Sequence, residues 1–310
     1  MFASTEALAK QVCAGERAAI AHALNTAEDR RPSAAADTRR LLRLLSSRER
    51  ALRIGLTGPP GAGKSTLAGR LGSALTGSVA ILAIDPSSPK SGGAILGDRA
   101  RIPRGARDGL FIRSIATAGM AGGLAFSVPA AARVLGAAFD IVLIETTGVG
   151  QTEVDVRHTV DVVVMLVQPG SGDGLQFVKA GIMEIPDVFV VHKSDLEGAD
   201  ASFAALQKRL SLPVFRASAR TGEGIEALAE HLMAFPRRSA DARRSDDAAW
   251  LAAVFAREFG ERAVRRLGGL TKVQESLAAA NGDDPVEELG NHYLSLESVP
   301  TPASAPRRPS

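Results

Sequence analysis

The middle of the chain alternates short apolar runs with longer amphipathic stretches. Runs at 52–57, 79–84, 110–115, 139–145, 162–168, 188–191 and 214–217 read as strands. Several, such as Val162–Gln168, are apolar at nearly every position rather than at every second one. That pattern belongs to parallel strands covered on both faces, because a sheet with one wet face would alternate. Stretches at about 65–75, 122–137, 173–184, 199–210 and 223–234 read as the intervening helices. Strand and helix in alternation predict an α/β fold with a doubly wound, mostly parallel sheet. Both flanks are helical. Residues 5–48 are rich in Ala, Leu, Arg and Glu and are broken at Arg31-Pro32-Ser33; residues 241–296 return to helical character. Within 250–267, Trp250, Leu251, Val254, Phe255 and Phe259 fall at helical spacing along one amphipathic stretch. The expected organisation is an N-terminal helical extension (1–50), a central α/β domain (51–238), a C-terminal helical extension (239–298) and a Pro/Ser-rich disordered tail (299–310).

Composition narrows the class. With 310 residues and 45% hydrophobic content, the chain can bury one large core. The net charge of +3 is small, its arginine pairs are scattered and aromatics make up only 4%, so nucleic acid is not an expected partner. The single cysteine, Cys13, excludes a disulfide framework and a Cys-rich metal site. No apolar run approaches the length of a membrane span, and residues 1–6 lack the basic and apolar regions of a secretory signal. No membrane partner and a cytoplasmic location are the expectations.

The most informative string is Gly58-Pro59-Pro60-Gly61-Ala62-Gly63-Lys64-Ser65, followed by Thr66. It is a complete G-x-x-x-x-G-K-[ST] phosphate-binding loop, and it lies between a predicted strand and a predicted helix, the context the motif requires. Its glycines let backbone N–H groups turn towards phosphate oxygens, and the helix N-terminus adds partial positive charge. Lys64 would reach the β- and γ-phosphates, and the Ser65 hydroxyl would hold Mg²⁺.

Three later strings continue the pattern. Glu145-Thr146-Thr147-Gly148 closes an apolar strand and resembles the switch II segment of GTPases, with Glu145 linked to Mg²⁺ and the Gly148 N–H donated to the γ-phosphate. His192-Lys193-Ser194-Asp195 follows another strand and resembles the guanine-reading N-K-x-D segment, with His in place of Asn. A carboxylate at 195 can accept from both N1–H and the 2-amino group of guanine; adenine offers neither donor, and such sites discriminate by roughly 10⁴. Ser218-Ala219-Arg220 resembles the segment in which a backbone N–H meets guanine O6.

Two rarer strings sharpen the resemblance. The loop Asp85-Pro86-Ser87-Ser88-Pro89-Lys90 runs on to Asp98-Arg99, and Gly148-Val149-Gly150-Gln151-Thr152-Glu153 follows switch II. With the phosphate loop, these resemble the MeaB/ArgK family of P-loop GTPases over about residues 5–235. The resemblance implies a P-loop NTPase fold, GTP and GDP as ligands with Mg²⁺, slow GTP hydrolysis and homodimerisation. It implies as partner an adenosylcobalamin-dependent acyl-CoA mutase, whose cofactor loading the GTPase gates and which it protects or rescues, with no cobalamin bound on this chain. By the same resemblance Asp85 and Asp98 are acids of switch I near Mg²⁺ and the γ-phosphate. Asp173, Gln176 and Lys179 lie in a third switch that couples to the mutase, with Gly174 where a second acid usually stands. Lys64, Asp98, Glu145 and Gly148 are the residues expected to serve hydrolysis. Two other readings stay open at this point: a small-molecule kinase or transport-associated ATPase, and a GTP-binding module with negligible hydrolysis. Asp195 argues against adenine in the first. A nickel-insertion GTPase would carry clustered His or Cys ligands, whereas the five histidines here are dispersed.

Overall fold

A computed structural model describes residues 4–29, 31–85, 110–116, 127–146, 157–170, 186–280 and 284–297. Among these, the parallel sheet has seven strands: β1 (Leu52–Thr57), β2 (Val79–Asp85), β3 (Phe111–Ala116), β4 (Ile141–Glu145), β5 (Val162–Val167), β6 (Val188–His192) and β7 (Val214–Ala217). Each of the seven apolar runs is a strand. The order is β3-β2-β4-β1-β5-β6-β7. Every residue of β1, β4, β5 and β6 is buried, so the continuous apolar runs reflect cover on both faces.

The period-two alternation of strand side chains assigns the two faces. Ile54, Leu56, Val164, Leu166, Val188 and Val190 pack with helix α4 (Lys64–Ala74) and with the helix that follows β7, Ile225–Met233, through Leu67, Leu71, Leu228 and Leu232. Met165, Val167, Phe189 and Val191 face the other way, towards Leu206 and Phe203 of Ala199–Arg209. In chain order the helices are α1 (Thr5–Cys13), α2 (Arg17–Glu28), α3 (Pro32–Leu45), α4, α5 (Ser127–Ala138), α6 (Ala199–Arg209), α7 (Ile225–Met233), α8 (Ala240–Arg266), α9 (Leu270–Ala279) and α10 (Pro285–Glu297). Helix α5 covers β4, β1 and β2, and α1, α2 and α3 lie on α5 as a further layer.

A buried ion triad fastens that layer to the sheet. Glu49, just after α3, accepts from Arg133 Nε of α5 at 2.7 Å through Oε1 and pairs with Arg53 Nη2 of β1 through Oε2. Arg133 also donates to the Leu42 carbonyl, at 3.3 Å. All three side chains are at most 9% exposed. On the edge, Arg113 of β3 donates to Glu28 and, at 2.7 Å, to Asn25, both on α2.

The described residues from Arg238 onwards form a second compact unit, and the tail expected at 299–310 lies outside the described residues. Ser239 caps α8 by accepting from the Ala242 N–H at 3.1 Å. The amphipathic stretch expected over 250–267 is not one straight helix, because Gly260 adopts φ 81°, ψ 168° and breaks it. Phe255 and Phe259 stack at 4.8 Å before the break, and Gly290 of α10 lies directly against the Phe259 ring. Among the described residues no helix is long and apolar enough to cross a membrane.

Glu49→Ala leaves two guanidinium groups buried without their shared carboxylate. We expect it to lower stability by about 3–5 kcal/mol in urea titrations, the range for breaking a buried pair from one side.

Candidate active site

The sheet order reverses at β1, which has β4 along one edge and β5 along the other. Ligands of doubly wound sheets bind beyond the carboxyl ends of the strands at such a point. Residues 58–63 leave β1 there. Gly58 has φ 139°, and a Cβ on it would come 2.5 Å from the Leu166 carbonyl oxygen of β5, so only glycine fits. Gly63 is left-handed at φ 89° and caps α4. The loop is thereby turned onto the N-terminus of α4, whose first residues are Lys64, Ser65 and Thr66. Pro60 and Gly61 form the exposed outer turn, and Ala62 is fully buried beneath it.

Lys64 is 7% exposed, and its Nζ donates to the carbonyls of Gly58 at 2.8 Å and Pro59 at 3.1 Å. The parallel register sets Glu145 beside Leu56, one residue short of the end of β1. That places its carboxylate under α4, where Ser65 Oγ donates to Oε1 at 2.6 Å. Both side chains are buried. Thr146 follows and locks the strand end, donating from its backbone to the Leu56 carbonyl at 3.0 Å. A hydroxyl and a carboxylate converging beside the phosphate loop form an oxygen donor set of the kind Mg²⁺ takes. Asp85 ends β2, two residues beyond the level of Glu145, since Glu145 pairs with Ala83. The Asp85 side chain and residues Asp98, Gly148, Gln151, Asp173, Gln176 and Lys179 lie outside the described residues.

The base end is built by β6 and β7, whose register matches His192 with Ala217. The segments 193–195 and 218–220 therefore leave the sheet side by side. Ser218 Oγ donates to Asp195 Oδ1, and Arg220 Nε donates to Oδ2 at 2.8 Å. The Ser218 hydroxyl above all, and Arg220 after it, hold the Asp195 carboxyl below the usual carboxylate range. Lys193 adopts φ 60°, a left-handed conformation rare for a residue with a side chain. Its stem arches back to the phosphate loop, where Nζ donates to the Gly61 carbonyl at 2.9 Å and to Gln168 Oε1 at 3.3 Å. The His192 ring is 2% exposed and contacts Ala62 and Ala219 through its two nitrogens.

The structure thus brings Lys64, Ser65 and Glu145 together at one end, and His192, Lys193, Asp195, Ser218, Ala219 and Arg220 at the other, bridged by the loop 58–63. It adds residues with no sequence signal. Arg70, two turns into α4, donates from Nε to the Ala219 carbonyl at 2.7 Å. Gln168 receives Lys193. Glu223 accepts from Ser194 Oγ at 3.0 Å and ties the two base-end segments together.

Comparison with known proteins identifies the family and the fold. The profile of the family described as Methylmalonyl Co-A mutase-associated GTPase MeaB matches residues 20–264. A Caulobacter vibrioides protein, provisionally described as a GTPase, is 39% identical over 273 residues, covering 80% of this chain and 84% of its own length. A Pyrococcus abyssi protein with the same description is 46% identical over 203 residues, and the chain spans 62% of its length. The methylmalonic aciduria type A homolog of Caenorhabditis elegans, a mitochondrial protein, is 39% identical over 209 residues, covering 62% of this chain and 52% of its own length. Among solved structures, that of an LAO/AO transport system kinase superposes with a TM-score of 0.59 at 24% identity, over 93% of this chain and 96% of its own. At that identity the likeness concerns the fold alone.

Gly63→Ala would force a left-handed backbone onto alanine and press a Cβ to 2.6 Å from His192 Cε1. We expect fluorescent-GDP titration to show affinity weakened about tenfold or more, from backbone strain on the order of 1–3 kcal/mol.

Proposed function

Because the chain belongs to the MeaB family of methylmalonyl-CoA mutase-associated GTPases, we propose that it binds and hydrolyses GTP to serve an adenosylcobalamin-dependent acyl-CoA mutase, methylmalonyl-CoA mutase or a close relative. In this reading the nucleotide cycle gates cobalamin loading and protects or reactivates the mutase, and the GTPase acts as a homodimer. The observation that supports the nucleotide half most directly is the buried Ser65–Glu145 contact of 2.6 Å beside Lys64. It joins the phosphate loop to the strand end that leads into switch II.

The roles follow from charge and position. Phosphoryl transfer asks a protein mainly for positioning and charge neutralisation. Lys64, at the first turn of α4, supplies a fixed cation, and the backbone N–H groups of 61–66 add the helix-end partial charge. Ser65 and Glu145 are the oxygen donors that would hold Mg²⁺, with Asp85 and Asp98 as further candidates; when bound, the ion neutralises charge on the β- and γ-phosphates. Asp195 would accept from the guanine N1–H and 2-amino groups, while Ser218 fixes the rotation of its carboxylate. Lys193 would lay its stem along the base and brace the loop at Gly61. The loop from Glu145 to Gly148 is the element that release of the γ-phosphate would free, which gives the mutase a nucleotide-dependent surface to read. The partner half rests on the family's description and on the likeness to the Caenorhabditis elegans relative.

The decisive experiment measures phosphate release from GTP and ATP, alone and with a cobalamin-dependent acyl-CoA mutase. We expect GTP-selective turnover below about 1 s⁻¹ for the isolated protein, in the range of GTPases without a partner, rising when the mutase is added. ATP turnover, or indifference to every such mutase, would remove the assigned role. Lys64→Ala should cut GTP turnover by about 10² or more through loss of charge stabilisation, read as phosphate release at saturating GTP.

A further inference from the structure

The His192 ring faces two main-chain groups of opposite character. Nδ1 lies 2.7 Å from the Ala62 carbonyl oxygen in the phosphate loop. Nε2 lies 3.3 Å from the backbone nitrogen of Ala219 in the base loop. A carbonyl can only accept and a backbone N–H can only donate, so the ring must donate from Nδ1 and accept at Nε2. Only the neutral Nδ1–H tautomer does both. An imidazolium would aim a second N–H at the N–H of Ala219. The other main-chain group of the same residue is fixed as well, because Arg70 Nε donates to the Ala219 carbonyl. Ala219 is therefore held at both its N–H and its carbonyl, by the His192 ring and the Arg70 guanidinium, with Ser218 and Arg220 on either side of the held residue.

We propose that His192 is a positioning residue, a proton-sensitive clamp between the phosphate loop and the base loop, whose neutral Nδ1–H tautomer sets guanine-nucleotide affinity. The proposal rests on the reading that these two loops hold a guanine nucleotide. A carboxamide also offers one donor and one acceptor, so Asn at this position can make the same two contacts. Histidine keeps the pair and adds a group that titrates near neutrality.

Burial sets the direction, and the Ala62 carbonyl at Nδ1 and the surrounding charges modulate it. On its own segment Lys193 opposes a proton on the ring and Asp195 favours one. Lys64 and Arg70 of α4 carry positive charge on the phosphate-loop side. On the β7 side Arg220 is paired with Asp195 and Glu223 with Ser194. Burial is the largest influence and lowers the histidine below its ordinary value. A lowered value means that the clamp is fully in place above about pH 6.5 and is lost as the pH falls from there towards the value in the closed site.

The test combines two measurements. Long-range ¹⁵N–¹H spectra of the nucleotide-free protein read the tautomer directly, and we expect a protonated Nδ1 and an unprotonated Nε2 for His192 at pH 7.5. Fluorescent-GDP affinities are then measured with Mg²⁺ for wild type, His192→Asn and His192→Leu. We expect wild-type affinity to fall about fivefold more than that of His192→Asn between pH 7.0 and 5.5. The nucleotide's own phosphate titration is common to both and cancels. His192→Leu, which can neither donate nor accept, should bind about tenfold more weakly at pH 7.5, and His192→Asn should recover most of that loss. Parallel acid profiles for wild type and His192→Asn, wild-type affinity in His192→Leu, or an Nε2–H tautomer would each overturn the clamp. An Nδ1–H tautomer in a wild-type protein that binds no GDP would support the contact and remove the nucleotide reading instead.

Discussion

The site depends on one constraint: strand β1 carries a parallel neighbour along each edge. With β4 and β5 both hydrogen-bonded to it, and helices over both faces, the chain leaving Thr57 can go only forward and over the end of the sheet. Gly58 makes that exit possible by passing close above the Leu166 carbonyl. The same pairing brings Glu145 level with Leu56 and so beneath the first turn of α4. Register therefore sets the acid, the hydroxyl and the lysine in one place before any side chain chooses a rotamer.

The base end is organised differently, by side chains that hold main-chain groups. His192, Lys193 and Arg70 each bond to a loop carbonyl, at Ala62, Gly61 and Ala219. These contacts fix loops that the sheet itself does not reach. Lys193 adopts its left-handed backbone at a cost of about 1–2 kcal/mol. The same residue makes two bonds at its ammonium, to the Gly61 carbonyl and to Gln168, and these offset that cost. The strain is a feature of the contact between the two ends of the site.

The inner strands are legible in the sequence because full burial of β1, β4, β5 and β6 leaves continuous apolar runs, and the half-buried edge strands β3 and β7 are read from their place in the strand–helix alternation. The loop 58–65 and Asp195 stand out in the sequence because the chemistry expected of them restricts the residue types allowed, and the structure sets both at the carboxyl end of the sheet. Gly260 is harder to read. A lone glycine within an amphipathic stretch is compatible with a continuous helix, and only its φ and ψ show the break. Arg70, Gln168 and Glu223 carry no local pattern, since each acts on a segment distant in sequence. The triad of Glu49, Arg53 and Arg133 is hidden for the same reason, because three charges in ordinary helical and strand contexts read as surface. The substitution of His for Asn at 192 reads as a loss until its two partners are seen to be one acceptor and one donor.

In the guanine-reading role proposed for Asp195, its pair with Arg220 would make base recognition an exchange. The carboxylate is only 11% exposed and already has a guanidinium on Oδ2, while that arginine is 75% exposed. A base arriving at Asp195 competes with a partner that water readily accepts back. Guanine would bring two N–H donors to the carboxylate and release the arginine to solvent. Adenine would displace the same partner and return nothing to the carboxylate. In that role selectivity would be a difference between two displacement reactions, with the resident arginine setting the threshold that either base must exceed.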